Sequence, residues 1–230
     1  VLTTAASPVA GGTVTPATGP VLSNTVVTVT QTPNAGYTFT GWSGDCTGTT
    51  TCSVTMDAAK SVTANYSQND YKVTTNVTGN GTVTGAGTSY HWGDTVNVTA
   101  TPAAGWSLGT VTGDCSSVPC TLTINGDKTV NVVFTQNSYV LTTAASPVAG
   151  GTVTPATGPV LSNTVVTVTQ TPNAGYTFTG WSGDCTGTTT CSVTMDAAKS
   201  VTANYTQNAY KVTTNVTGNG TVTGAGTSYH

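Results

Sequence analysis

Apolar and polar residues alternate along most of this chain, with Val on one side and Thr or Asn on the other in runs such as Val27-Thr28-Val29-Thr30 and Val96-Asn97-Val98-Thr99. Period-two alternation marks a strand with one buried face, and no stretch shows the period of an amphipathic helix. The pattern predicts strands near Val1–Ala6, Gly12–Thr15, Thr25–Thr32, Tyr37–Trp42, Cys52–Met56 and Ser61–Tyr66. A second set follows near Lys72–Val77, Gly81–Thr84, Thr95–Thr101, Trp106–Val111, Cys120–Ile124 and Thr129–Phe134. Pro33-Asn34-Ala35-Gly36, Gly79-Asn80-Gly81 and Asn125-Gly126-Asp127 supply turns, because Gly and Asn tolerate the backbone that tight turns require. The expected fold class is all-β, a tandem array of small antiparallel β domains.

Repetition sets the domain organisation. Residues 140–230 repeat residues 1–91 at an offset of 139, and only Ser67→Thr206 and Asp70→Ala209 distinguish the copies. An older period of 69 aligns Thr32–Cys46 with Thr101–Cys115. The order is therefore repeat A at 1–69, repeat B at 70–138, a second repeat A at 139–208 and a truncated repeat B at 209–230. Alternating unlike neighbours lowers the risk of strand exchange between adjacent domains. A catalytic constellation is needed once per site, whereas a repeated unit builds length, surface or valency. No enzyme, catalytic residue, metal site or cofactor is expected.

Units this small bury little core and need a staple. Each complete one carries two cysteines, and Cys46 with Cys52, Cys115 with Cys120 and Cys185 with Cys191 read as one local disulfide per repeat, with pairing between units or chains as the alternative. Disulfides imply an oxidising setting, extracellular or periplasmic, and the expected place is extracellular or at the cell surface. Only 6% of residues are charged, all of them Asp or Lys, and the net charge is −3. Five scattered lysines cannot make the cationic cluster that phosphate binding requires, so no nucleic-acid partner is expected. No run is long enough for membrane insertion. Starting inside a strand and stopping at His230 inside a repeat B, the sequence reads as a window on a longer polypeptide. Thr, Ser, Asn and Gly must cover the surface, and the weak mutual repulsion of such a surface favours self-association with repeats or chains of the same protein.

The joints are short. Tyr66, Phe134 and Tyr205 end the units and Tyr71, Tyr139 and Tyr210 restart them, with four residues between. Such a joint spans at most about 14 Å, against about 28 Å for the diameter of a domain this size. Neighbouring units are therefore expected to touch, with Tyr71, Tyr139 and Tyr210 at the interdomain joint or else packed inside their own units.

Candidate chemistry is sparse. Histidine occurs only at His91 and His230, and Asp94 is its nearest acid in sequence. Asp45, Asp114 and Asp184 share a Gly-Asp-Cys turn with one carboxylate each, too few for a calcium loop, and are expected to cap that turn. Asp57 near Lys60 and Asp127 beside Lys128 read as hairpin turns with weak ion pairs. Tyr90-His91-Trp92 stands out, a loop placed where repeat A has Val21-Leu22-Ser23. Two aromatics there suit a binding or assembly contact, stacking on a sugar or anchoring a protein surface. The plainer alternative is that they cover the core of repeat B, compensating for Val111 where repeat A has Trp42.

The run TPNAGYTFTGWSGDC…CSVTMDAAKSVTANY at Thr32–Tyr66, echoed in repeat B, resembles the divergent internalin-B-type B-repeat (Listeria–Bacteroides-type repeat) family of bacterial surface proteins. That resemblance implies a small β-grasp-like module occurring in tandem on secreted or surface-attached proteins, often in stalks and adhesins, with no catalytic residues. The expected role is a structural repeat segment of an extracellular stalk, fibre or filament. The alternative is an adhesive module in which the aromatic loop of repeat B binds carbohydrate or a surface protein, multiplied by avidity.

Overall fold

In the computed structural model, residues 1–224, 226, 228 and 229 are described; His230 lies outside them. Each complete repeat folds into two small sheets. In the first repeat A, Leu2–Ser7, Lys60–Gln68 and Tyr37–Gly44 form one sheet in that order, and Gly12–Thr15, Val26–Pro33 and Cys52–Thr55 form the other. Leu2, Val62, Ala64 and Tyr66 of the first sheet meet Val29, Cys52 and Val54 of the second in one apolar cluster. The inward valines predicted from sequence, Val29, Val54 and Val62, contribute to it.

All pairings in repeat A are antiparallel except one: Leu2–Ser7 runs parallel to Lys60–Gln68, in register from Leu2 opposite Lys60 to Ser7 opposite Asn65. Repeat B pairs Lys128–Gln136 with Tyr71–Thr78 in the same sense, and the second repeat A pairs Ser138–Ser146 with Lys199–Gln207. Period-two alternation says which face of a strand is buried and nothing about the direction of its neighbour, so this pairing was not legible in advance. In repeat B and the second repeat A the first and last strands run side by side in the centre of a four-stranded mixed sheet. Two three-residue 3-10 turns, Val9–Gly11 and Val148–Gly150, are the only helical segments among the described residues. Sequence also missed a strand: Gly87–Tyr90 in repeat B and Gly158–Leu161 in the second repeat A pair with the first strand of their own repeats. Tyr90 therefore ends a strand rather than sitting in a loop.

The disulfides join Cys46 to Cys52, Cys115 to Cys120 and Cys185 to Cys191. Each ties the loop leaving one sheet to the first residue of a strand in the other. An aromatic cluster fills the core of repeat A, with Phe39 5.1 Å from Trp42 and 5.8 Å from Tyr66 between ring centroids. Trp42 Nε1 donates to Thr50 O at 2.9 Å, which satisfies the indole where it is buried. Repeat B carries Leu108 and Val111 at the places of Phe39 and Trp42. The backbone at Gly11-Gly12 lies flat on the Tyr66 ring: a Cβ at Gly12 would come within 2.5 Å of Thr32 O and 2.6 Å of Tyr66 Cζ.

Four aspartates act differently from their sequence reading. Asp45 does not cap its own turn; its carboxylate accepts the Ser61 N–H at 2.6 Å while its own N–H donates to Ser61 O at 2.7 Å, clamping the loop to the last strand. Asp114 with Thr129 and Asp184 with Ser200 repeat the clamp. Lys128 reaches Asp114 at 3.5 Å rather than its neighbour Asp127, which instead accepts the Lys72 N–H at 2.8 Å. Lys60 does pair with Asp57, at 2.8 Å, and Lys199 with Asp196 likewise.

The chain divides into two compact units, one of Val1–Thr101 with Leu108–Phe134, the other of Pro102–Ser107 with the residues from Thr135 onward.

Two tests follow from the packing. Gly12→Ala should lower the stability of the first repeat by about 1–3 kcal/mol because backbone must move, whereas Gly19→Ala, whose Cβ would come no closer than 3.8 Å to Ala17 O, should stay within about 0.5 kcal/mol. Denaturant midpoints compare them. The hydrogen-bonded Lys60 ammonium holds the Asp57 carboxyl below its ordinary 3.8, and Asp57 raises Lys60 above its ordinary 10.5. Folded-state depression of Asp57 gives stability that is present above pH 3.8 and lost as pH falls through the lowered value; the raised Lys60 gives stability lost as pH climbs past 10.5. Thermal midpoints of Asp57→Asn should accordingly show a shallower fall at both extremes.

Candidate assembly interface

The parallel pairing fixes where a repeat begins and ends. Leu2 lies beside the start of the last strand, so the chain enters a repeat at one end and leaves it at the other. Tyr37 pairs with Gln68, which places the Pro33–Gly36 turn at the trailing end beside the joint. There the joint is pinned to the turn: Asn69 N–H donates to Gly36 O at 2.8 Å, and Thr38 Oγ1 donates to Asn69 Oδ1 at 2.7 Å. Asn137 with Gly105 and Ser107, and Asn208 with Gly175 and Thr177, make the same two bonds.

At the trailing tip of the first repeat A, Trp92 of repeat B lies over Gly36. The glycine has φ +81°, and a Cβ added to it would collide with Trp92 Cβ and stand 3.1 Å from Trp92 Cγ. Tyr71 reaches this contact through Trp92, the two ring centroids being 6.4 Å apart. His91 Nε2 stands 3.4 Å from Asp70 Oδ1, and the His91 N–H donates to Asp94 Oδ2 at 2.7 Å. Tyr90 turns inward, its hydroxyl 3.3 Å from Gly85 O. The segment singled out by sequence is thus split: Tyr90 packs in its own repeat, His91 is held by carboxylates, and Trp92 touches the neighbouring repeat.

Ser162 is the residue that sequence reasoning passed over. It stands at the position of Trp92 and, within the second compact unit, it faces the Pro102–Gly105 turn. It is the only polar residue in the buried class among those described, 1% exposed. Its N–H donates to Asn137 O at 2.8 Å, its carbonyl accepts from Gln136 Nε2 at 2.8 Å, and the adjacent Asn163 Nδ2 donates to Ala104 O at 3.1 Å. A Cβ on Gly105 would collide with Ser162 Oγ and lie 2.6 Å from Asn163 Nδ2. One position thus meets a tip glycine with an indole in repeat B and with hydrogen bonds in repeat A. Tyr139 packs on the core of its own repeat, and Tyr210 is 59% exposed. No sequence signal marks Ser162, because Ser23 has the same flanking residues.

Three stretches, residues 2–70, 71–138 and 141–209, match the family model of the divergent InlB B-repeat domain. The chain belongs to this family. Its B-repeats are repeat domains of surface proteins and not an enzyme family, and the disulfide in each is consistent with an extracellular place. No curated protein matches the chain. Among the described residues no helix of these B-repeats is long and apolar enough to cross a membrane.

Burial at the joint can be read by amide exchange. In dilute solution the Ser162 amide should exchange at least about tenfold more slowly than the Ser23 amide, whose local sequence is the same. Gln136→Ala should remove most of that difference by loosening the cover over Ser162.

Proposed function

We propose that this chain is a structural repeat segment of a large extracellular bacterial surface protein, building a stalk, fibre or filament whose repeats and chains associate with one another. The observation that carries the reading is the fit at the tip glycines. Gly36 and Gly105 have no room for a side chain, because Trp92 covers the first and Ser162 with Asn163 covers the second. A joint tied to the preceding tip by the same two hydrogen bonds each time suits a structural array better than a flexible tether would. Family membership and the disulfides support a place outside the cell, and the disulfides would resist unfolding there.

An adhesive role has one observation in its favour: Trp92 covers Gly36 yet remains 45% exposed, a surface on which a sugar ring could stack. Comparing the unmodified chain with the Tyr90→Ala/Trp92→Ala variant separates the readings. If the role is structural, the variant becomes cleavable by protease at Gln68–Asp70, and neither protein retains any carbohydrate on a glycan array. A glycan bound by the unmodified chain and lost by a variant with an intact joint would transfer the assignment to adhesion.

A further inference from the structure

The disulfide loops of repeats A and B are fastened differently. Between Cys46 and Cys52 the loop of repeat A has a second hold: Gly48 O accepts the Trp42 N–H at 2.7 Å, and Thr50 O accepts from Trp42 Nε1 at 2.9 Å. Trp181 makes the same two bonds across the Cys185–Cys191 loop, to Gly187 O at 2.7 Å and Thr189 O at 3.0 Å. Repeat B has Val111 at the place of the tryptophan, and among the described residues no hydrogen bond reaches Ser116, Ser117, Val118 or Pro119. Cys115–Cys120 alone closes that loop. Cys120 is also the more open to solvent, half-buried where Cys52 and Cys191 are 2% exposed. The strand that it begins supports the rim. Cys120–Thr123 is an edge strand, paired only with Thr95–Pro102 among the described residues. Just beyond it, Ile124 O accepts the Gly93 N–H and Ile124 N–H donates to Asp94 O, both at 2.8 Å. Those two bonds hold the turn that carries Trp92, and Trp92 covers Gly36 of the preceding repeat.

We propose that Cys115–Cys120 is a redox-sensitive latch on the joint from repeat A into repeat B, opened by a dithiol. One thiolate of the dithiol attacks Cys120 Sγ, the protein S–S bond breaks, and Cys115 Sγ leaves as a thiolate. The second sulfur of the dithiol then displaces Cys120 Sγ from the mixed disulfide. The dithiol ends as a disulfide, and its two protons end on the two cysteines. Once opened, the loop regains chain freedom and the edge strand loses the tie at its first residue. The bonds from Ile124 to the rim weaken, and Trp92 lifts from Gly36. In repeats A the same reaction leaves the loop held by its tryptophan, so the two sulfurs stay close and the bond reforms. The rim at Ser162 belongs to such a repeat. Reductant therefore loosens the joint into repeat B and spares the joint into repeat A.

This inference rests on the structural reading of the joint and adds a control to it. Brief treatment of the full chain with dithiothreitol, then iodoacetamide and peptide mapping, gives the order of opening. Cys115 and Cys120 should label at least about tenfold faster than the four cysteines of repeats A. In chain alkylated only there, the Gly93 and Ile124 amides should exchange at least about tenfold faster, while those of Val130 and Val132 keep their protection. Protease should then cut at Gln68–Asp70 and spare Gln136–Ser138. Cys115→Ala/Cys120→Ala, which carries no alkyl group, should show the same exchange and cleavage. Equal or faster labelling of the repeat A cysteines overturns the proposal, as does loss of protection at Val130 and Val132 together with Gly93, which would mean that reduction unfolds the repeat. Resistance at Gln68–Asp70 with Cys115–Cys120 open also overturns it. That result leaves the structural reading standing, since the Tyr90→Ala/Trp92→Ala variant judges it with every disulfide intact.

Discussion

The parallel pairing of first and last strands is the constraint on which the other features of each repeat depend. Parallel neighbours cannot be joined by a tight turn, so the chain must cross between them, and the strands of the second sheet fill that crossing. The same pairing puts the two ends of a repeat at opposite ends of its sheet. An antiparallel closure would have brought them together and left the next repeat to begin beside the last. Because the last strand instead runs to the trailing tip, the following first strand starts beside a glycine turn, and the loops at its own leading end meet that turn. The joint is a consequence of strand direction.

Core and joint divide the aromatic residues between them. Repeat A keeps Phe39, Trp42 and Tyr66 in one interior cluster, and presents Ser23 at its leading rim. Repeat B has an exposed Leu108 and a half-buried Val111 at the matching places, and Trp92 at the rim. The second repeat A follows the first in both respects, with Phe178, Trp181 and Tyr205 inside and Ser162 at the rim. Two kinds of contact thus alternate along one chain, an indole over a glycine and a set of hydrogen bonds around one. Their energetics differ, since the first is apolar area excluded from water and the second depends on satisfying buried polar groups. Unlike contacts of this sort discriminate between neighbours, and they complement the sequence divergence between repeats A and B.

Electrostatics plays a local part. The Asp45 carboxylate and backbone form a two-bond clamp on Ser61, with Lys60 nearby at 3.9 Å from the carboxylate, and the arrangement recurs at Asp114 and Asp184. These three carboxylates each hold a loop at the leading end of a repeat. Asp70, one of two positions at which the duplicated segments differ, is also the carboxylate nearest the His91 imidazole, and the copy carries Ala209 there.

Much was settled by the sequence alone: the all-β class, the repeat lengths, the partition of Val inward and Thr outward, and the turns. These are local properties, written in alternation, glycine placement and self-similarity, and they need no knowledge of what lies across the fold. Which strands pair in parallel, the extra strand at Gly87–Tyr90 and the reach of Asp45 to Ser61 were decided by tertiary structure, because each depends on residues distant in sequence. Ser23 and Ser162 make the division plain. Their neighbours in sequence are the same, yet one is exposed and the other buried, because burial belongs to whatever the fold brings against a residue. For the same reason Trp92 could be picked out as unusual from sequence, but its partner, a glycine 56 positions earlier, could only be found once the chain had folded.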